Sequence, residues 1–115
     1  MTISEITVEE LAKKLKSPDQ FILLDVRELS ELEKAKITDA RLEVVPMSRL
    51  GSEGTNALSE SARSKGAEIY VMCHHGSRSM QVTGWLASQG WTNVHNVLGG
   101  IDAFAQKMDP TIGIY

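Results

Sequence analysis

The stretch "EIYVMCHHGSRSMQVTGWLASQG" (68–90) decides the fold. Its first six residues, 68–73, are a short and nearly continuous apolar run, the pattern of a strand buried on both faces of a sheet. From 79 to 90 the period changes. Met80, Val82, Trp85 and Leu86 recur at helical spacing, and Gly90 supplies a stop. Residues 73–78 therefore form a strand-to-helix turn. Working outward, "FILLDV" (21–26), "RLEVVPM" (41–47, ended by Pro46) and "NVHNVLGG" (93–100, with Val94 and Val97) read as further strands. "TVEELAKKLK" (7–16) reads as a helix capped by Thr7, with Glu10 three residues on. "ELSELEKAKI" (28–37) reads as a polar helix with Leu29 and Leu32 along one side, and "IDAFAQKM" (101–108) as a last helix. Between Ser48 and Gly66, the residues Gly51, Gly54 and Asn56 mark an irregular part, with a helix expected over 57–65. Strands alternating with helices predict an α/β fold: a small parallel sheet flanked by helices on both faces, joined by right-handed crossovers. Sites in such sheets form at the carboxyl ends of strands. Cys73 has that address.

Size and composition narrow the classes. The 115 residues are expected to form one domain, 1–115, large enough to bury a core without metal or disulfide. A net charge of −3 with mixed signs makes no case for nucleic acid or an anionic membrane surface. No apolar run approaches a membrane span, and the acidic start "MTISEITVEE" lacks a signal-peptide core. The single cysteine forms no internal disulfide. A cytoplasmic monomer without a cofactor is the expectation.

The turn holds the chemistry. An inert cysteine buried at a strand end is the bland alternative. A tight turn before a helix, however, directs successive N–H groups inward as an anion-binding nest, and the helix N-terminus adds its dipole. Gly76 supplies conformational freedom, Arg78 a cation, Ser77 a hydroxyl, and Ser79 is expected to cap the helix. These surroundings favour thiolate over thiol at Cys73, and a thiolate is a nucleophile. His74 and His75 are expected at the pocket mouth, where they attract anions. With Cys73 they make no metal site, since three consecutive residues in a tight loop do not converge on one ion. His95, in "NVHNV", is expected to be solvated or hydrogen-bonded. The charges of "EELAKKLK" and "ELSELEK" read as solvated helix faces.

"CHHGSRS" (73–79) resembles the active-site loop of the rhodanese family of sulfurtransferases. "LLDVRE" (23–28) is similar to that family's early strand with its Asp-Val-Arg signature. "VLGGIDAF" (97–104) is similar to its late strand and Gly-Gly turn, and "MDPTIGIY" (108–115) to how its single-domain members end. One segment departs: in "KAKITDARLEVVP" (34–46), Ala35 and Lys36 stand where members carry Gly-His, and the run to Pro46 is longer. The resemblance implies that Cys73 takes sulfur from a small-molecule donor such as thiosulfate, becomes a persulfide, and passes the sulfur to a thiol or protein acceptor. It implies that His74, His75, Gly76, Ser77 and Arg78 bind the substrate or persulfide. It also implies that Asp25 and Arg27 form an ion pair which, with Ser79, supports the loop. Phosphatases related to this family use C-x5-R, a wider cradle; Cys73 to Arg78 is C-x4-R, which crowds phosphate. The rival readings are a non-enzymatic persulfide carrier or sensor docking on a partner and, behind it, a cysteine phosphatase or arsenate reductase.

Overall fold

A computed structural model describes residues 2–115. Its elements run β1 (Glu5–Ile6), α1 (Val8–Lys16), β2 (Ile22–Asp25), β3 (Leu42–Val44), α2 (Met47–Glu53), β4 (Ile69–Met72), α3 (Ser77–Ser88), β5 (Val94–Val97) and α4 (Gly100–Lys107). Short 3-10 turns lie at Leu29–Glu33, Gly54–Ala57 and Pro110–Ile112. All five strands are parallel, in the order β1-β5-β4-β2-β3. The expected α/β architecture is present.

The core follows from the period-two alternation of the two central strands. Ile22, Leu24 and Val26, with Ile69, Val71 and Cys73, face one layer, where Leu50 of α2 and Val82 and Leu86 of α3 pack. Leu23, Tyr70 and Met72 face the other, against Leu11 of α1 and Ile101 and Phe104 of α4. Both faces are covered, so apart from Asp25 at the end of β2 the two strands are apolar. Helix α1 carries the expected capping box: the Glu10 N–H donates to Thr7 Oγ1 at 3.1 Å, and the Thr7 N–H to Glu10 Oε1 at 3.1 Å.

Three local readings are corrected. The helix expected over 28–37 shrinks to the 3-10 turn Leu29–Glu33. Beyond it Ala35 and Ile37 are buried while Lys34, Lys36 and Thr38 are exposed, a spacing of two that an α-helix does not produce. These two residues pack with the α1 and α4 layer, so burial overrides helix propensity. The helix expected over 57–65 is instead a series of turns, and α2 lies earlier, over residues taken as irregular. Pro46 starts it and Gly54, at φ +64°, ends it, with Gly51 inside. In the turns that follow, the Ala62 carbonyl accepts from Trp91 Nε1 at 2.9 Å. Finally, α3 begins at Ser77, not Ser79. β1 was not anticipated; two residues carry no readable alternation.

Candidate active site

Strand β4 delivers Cys73 to the carboxyl edge of the sheet, where the chain turns into α3. The turn closes on the thiol. Gly76 N–H points at Cys73 Sγ at 3.1 Å and Ser79 N–H at 3.4 Å, both from the first turn of α3 or just before it. Gly76 makes this possible as the residue preceding the helix: its φ of +108° lies in the left-handed region, which residues with a Cβ avoid. Ser79 is therefore not the cap. It sits inside the first turn, fully buried, and its hydroxyl donates to Asn96 Oδ1 of β5, tying the start of α3 to the sheet.

A second helix holds the loop from behind. The N–H groups of Ile101 and Asp102, in the first turn of α4, donate to the carbonyls of Cys73 (2.9 Å) and His74 (3.0 Å). Gly100, at φ +62°, brings the two backbones so close that a Cβ there would overlap both carbonyl oxygens. Gly100→Ala is expected to destabilise the protein by about 1–3 kcal/mol and to displace the Cys73 loop. Urea unfolding reads the first effect and the rate of Cys73 alkylation the second; wild-type behaviour in both would contradict the packing described.

The remaining predicted residues form a polar network beside the loop. Asp25 and Arg27 are both fully buried and paired, Nη2 to Oδ2 at 2.8 Å and Nε to Oδ1 at 3.0 Å. Burial opposes the Arg27 charge, but its bonds to Asp25 and Tyr115 outweigh this and keep it protonated. The pair reaches the loop through an intermediary. Arg27 Nη1 donates to Tyr115 Oη at 3.1 Å, and the Tyr115 ring stacks on His74 with centroids 3.7 Å apart and planes 4° from parallel. Tyr115 Oη in turn donates to Glu31 Oε1 at 2.9 Å. Glu31 takes both arms of Arg78, Nη1 to Oε2 at 2.7 Å and Nη2 to Oε1 at 2.8 Å. Arg78, on the first turn of the helix that follows the Cys73 loop, is thus bidentately paired. Ser77 is exposed.

Glu31, Tyr115, Asn96 and Asp102 are the members of this site that sequence reasoning missed. Glu31 was read as part of a solvated face, and its partner Arg78 lies 47 positions away. No local pattern announces such a contact.

The Arg78 bonds hold the Glu31 carboxyl down to about 2 from an ordinary 4.5, with burial opposing and the Glu28 N–H and Tyr115 hydroxyl assisting. A value lowered in the folded state means stabilisation that is complete above about 4.5 and lost as pH falls through about 2. The urea midpoint is expected to fall across that window, and to fall less steeply in Glu31→Gln. Equal slopes would place the acid sensitivity elsewhere.

His74 is held below the ordinary histidine value, chiefly by burial and then by neighbouring His75, so it is neutral at pH 7. Its Nε2 is buried without a partner. His74, His75 and Asp102 bring one potential ligand atom each within 4.8 Å of one another. The two imidazoles, however, overlap face to face with centroids 3.7 Å apart and planes at 31°. Their in-plane lone pairs run side by side, a poor start for tetrahedral ligation. His95 bonds Ser4 and Asn93 and stacks on Tyr70, away from the thiol.

Comparison with known proteins agrees with this architecture. Residues 7–107 match the Rhodanese-like domain family. Over 116 residues the chain is 39% identical to "Rhodanese-like/PpiC domain-containing protein 12, chloroplastic" of Arabidopsis thaliana, covering 98% of this chain and 38% of that protein. Several curated relatives are longer in the same way, the chain spanning about half of their length or less. It is 29% identical to a protein of Allochromatium vinosum named "Sulfurtransferase", covering 96% of this chain and 95% of that one. Among solved structures, a Rhodanese-like domain protein from Staphylococcus aureus superposes with a TM-score of 0.74 at 26% identity, covering 98% of this chain and 99% of that one.

Proposed function

This chain belongs to the rhodanese-like domain family, and on that premise we propose that residues 1–115 act as one sulfurtransferase domain carrying sulfur as a persulfide on Cys73. The observation that carries the reading is the pair of backbone N–H groups, from Gly76 and Ser79, aimed at one sulfur atom. Support comes also from the relative of nearly equal length named a sulfurtransferase.

In the first half-reaction the Cys73 thiolate attacks the outer sulfur of a donor such as thiosulfate. The S–S bond of the donor breaks and its electron pair leaves with sulfite. The persulfide formed, Cys73–S–S⁻, sits at the N-terminus of α3, where the loop amides and helix dipole stabilise its negative charge as an oxyanion hole would. In the second half-reaction a thiophile takes the outer sulfur and the thiolate returns. Cyanide serves in an assay; a small thiol or a protein thiol is the proposed cellular acceptor. Residues 74–78 form the binding loop, and Asp25, Arg27 and Ser79 hold it in shape. Cys73 is 1% exposed, so the donor reaches it only when the side chains over the loop part. No helix among the described residues is long and apolar enough to cross a membrane; a cytoplasmic location is part of the proposal.

Two half-reactions sharing one covalent intermediate predict ping-pong kinetics. Initial rates varied in thiosulfate and cyanide should give parallel double-reciprocal lines; intersecting lines would argue for a ternary complex and against the persulfide route. A second reading, a carrier that hands sulfur only to a protein partner, draws on the chain's match to parts of longer relatives. It predicts that Cys73 loads while small acceptors fail to unload it. The phosphatase reading is disfavoured by the C-x4-R loop and predicts turnover of aryl phosphates, which the sulfurtransferase lacks.

A further inference from the structure

The polar network beside the thiol has a consequence for which donors the loop accepts. Both arginines there are spoken for. Arg27 is buried against Asp25, and Arg78, the cation of the loop, gives both guanidinium arms to Glu31 at 2.7 and 2.8 Å. Tyr115 and the Glu28 N–H add two bonds that fix the Glu31 carboxylate in place. His74 is half-buried, with its Nε2 out of reach of solvent, and Asp102 adds a carboxylate 3.9 Å from His75. Lys34 approaches only the Tyr115 ring, at 5.6 Å, from an exposed position where solvent screens it. The positive potential at Sγ thus comes mainly from backbone N–H groups, whose partial charges suit one negative charge better than two.

We infer that Glu31 determines donor specificity: by neutralising Arg78 it disfavours doubly charged sulfur donors relative to singly charged ones. Glu31 is a positioning residue here, acting through Arg78 and touching no reacting atom. The inference rests on the sulfur-transfer reading above.

Thiosulfate and methanethiosulfonate isolate the effect. Each presents one outer sulfur to the Cys73 thiolate. The donor S–S bond breaks, the electron pair leaves with sulfite or methanesulfinate, and the same persulfide remains. The donors differ by one negative charge. The rate of the sulfur adduct on Cys73, followed by intact mass, gives a ratio of thiosulfate to methanethiosulfonate loading. Glu31→Gln, which frees the Arg78 charge, should raise that ratio by about tenfold. Arg78→Gln, which strands the Glu31 charge, should lower it by a similar factor. A loss of folding cannot imitate a gain selective for the dianion, and if circular dichroism shows Glu31→Gln unfolded, Arg78→Gln decides alone. A folded variant that loads both donors at the wild-type ratio overturns the inference. If neither donor loads the wild-type thiol, the sulfur-transfer reading fails and takes this inference with it.

Discussion

Cys73→Ser is expected to reduce sulfur transfer from thiosulfate to cyanide by roughly a thousandfold or more. The substitution keeps a small side chain that accepts hydrogen bonds, so the Gly76 and Ser79 amides still have an oxygen to meet. What changes is the nucleophile. A serine hydroxyl is not ionised at neutral pH, and the hydrogen-bond partners of the residue-73 side chain are the N–H groups of Gly76 and Ser79, donors that cannot take its proton. The His74 ring is stacked between Tyr115 and His75 and its Nε2 has no partner, so it does not supply a base in this arrangement. Stability should change little, because Cys73 packs at the edge of a core that keeps Val71 and Val82 in place. A folded variant with no transfer is the expected pair of results. Retained transfer would remove Cys73 from the chemistry.

The largest effect on stability is expected at Asp25. Asp25→Ala leaves the Arg27 guanidinium, fully buried, without its carboxylate, and this should cost about 3–5 kcal/mol. The carboxylate also accepts from the Arg27 N–H at 3.1 Å, so the turn after β2 loses a backbone bond as well. The charge penalty is separable from the packing loss. In Asp25→Leu combined with Arg27→Met both charges are gone, and a large part of the stability should return. Urea unfolding of the three proteins measures this. The double variant should nonetheless load Cys73 more slowly, since Tyr115 loses its bond from Arg27 and with it a constraint on the ring that stacks against His74. An Asp25→Ala cost below about 1 kcal/mol would mean that water reaches Arg27.

How much of this was legible in advance depends on the range of the interactions. Strands β2 and β4 were readable because burial on both faces leaves a nearly continuous apolar run, and α1 because its cap is a contact between residues three apart. The proposed nucleophile could be singled out because the strand, the glycine turn and the helix around Cys73 are contiguous in sequence. The pairing of Asp25 with Arg27 was implied by the resemblance of "LLDVRE" to the family's Asp-Val-Arg signature. Contacts across the fold were not. Arg78 meets Glu31 and Arg27 meets Tyr115 over separations of 47 and 88 residues, and nothing in the polar run 28–34 distinguishes Glu31 from its exposed neighbours. Ser79 was misread because serine near a helix start is a common cap; its actual partner, Asn96, comes from a different strand. Ala35 and Ile37 defeated the helix reading of 28–37 for the same reason, since their burial is imposed by α1 and α4.

Intact-protein mass measurement of the reduced chain, before and after excess thiosulfate, tests the central claim most directly. The predicted result is a gain of one sulfur, about 32 Da, located on Cys73 and removed by cyanide. An unchanged mass, with Cys73 unreactive toward alkylating agents at neutral pH as well, would contradict the account and leave Cys73 a buried thiol at the end of a strand.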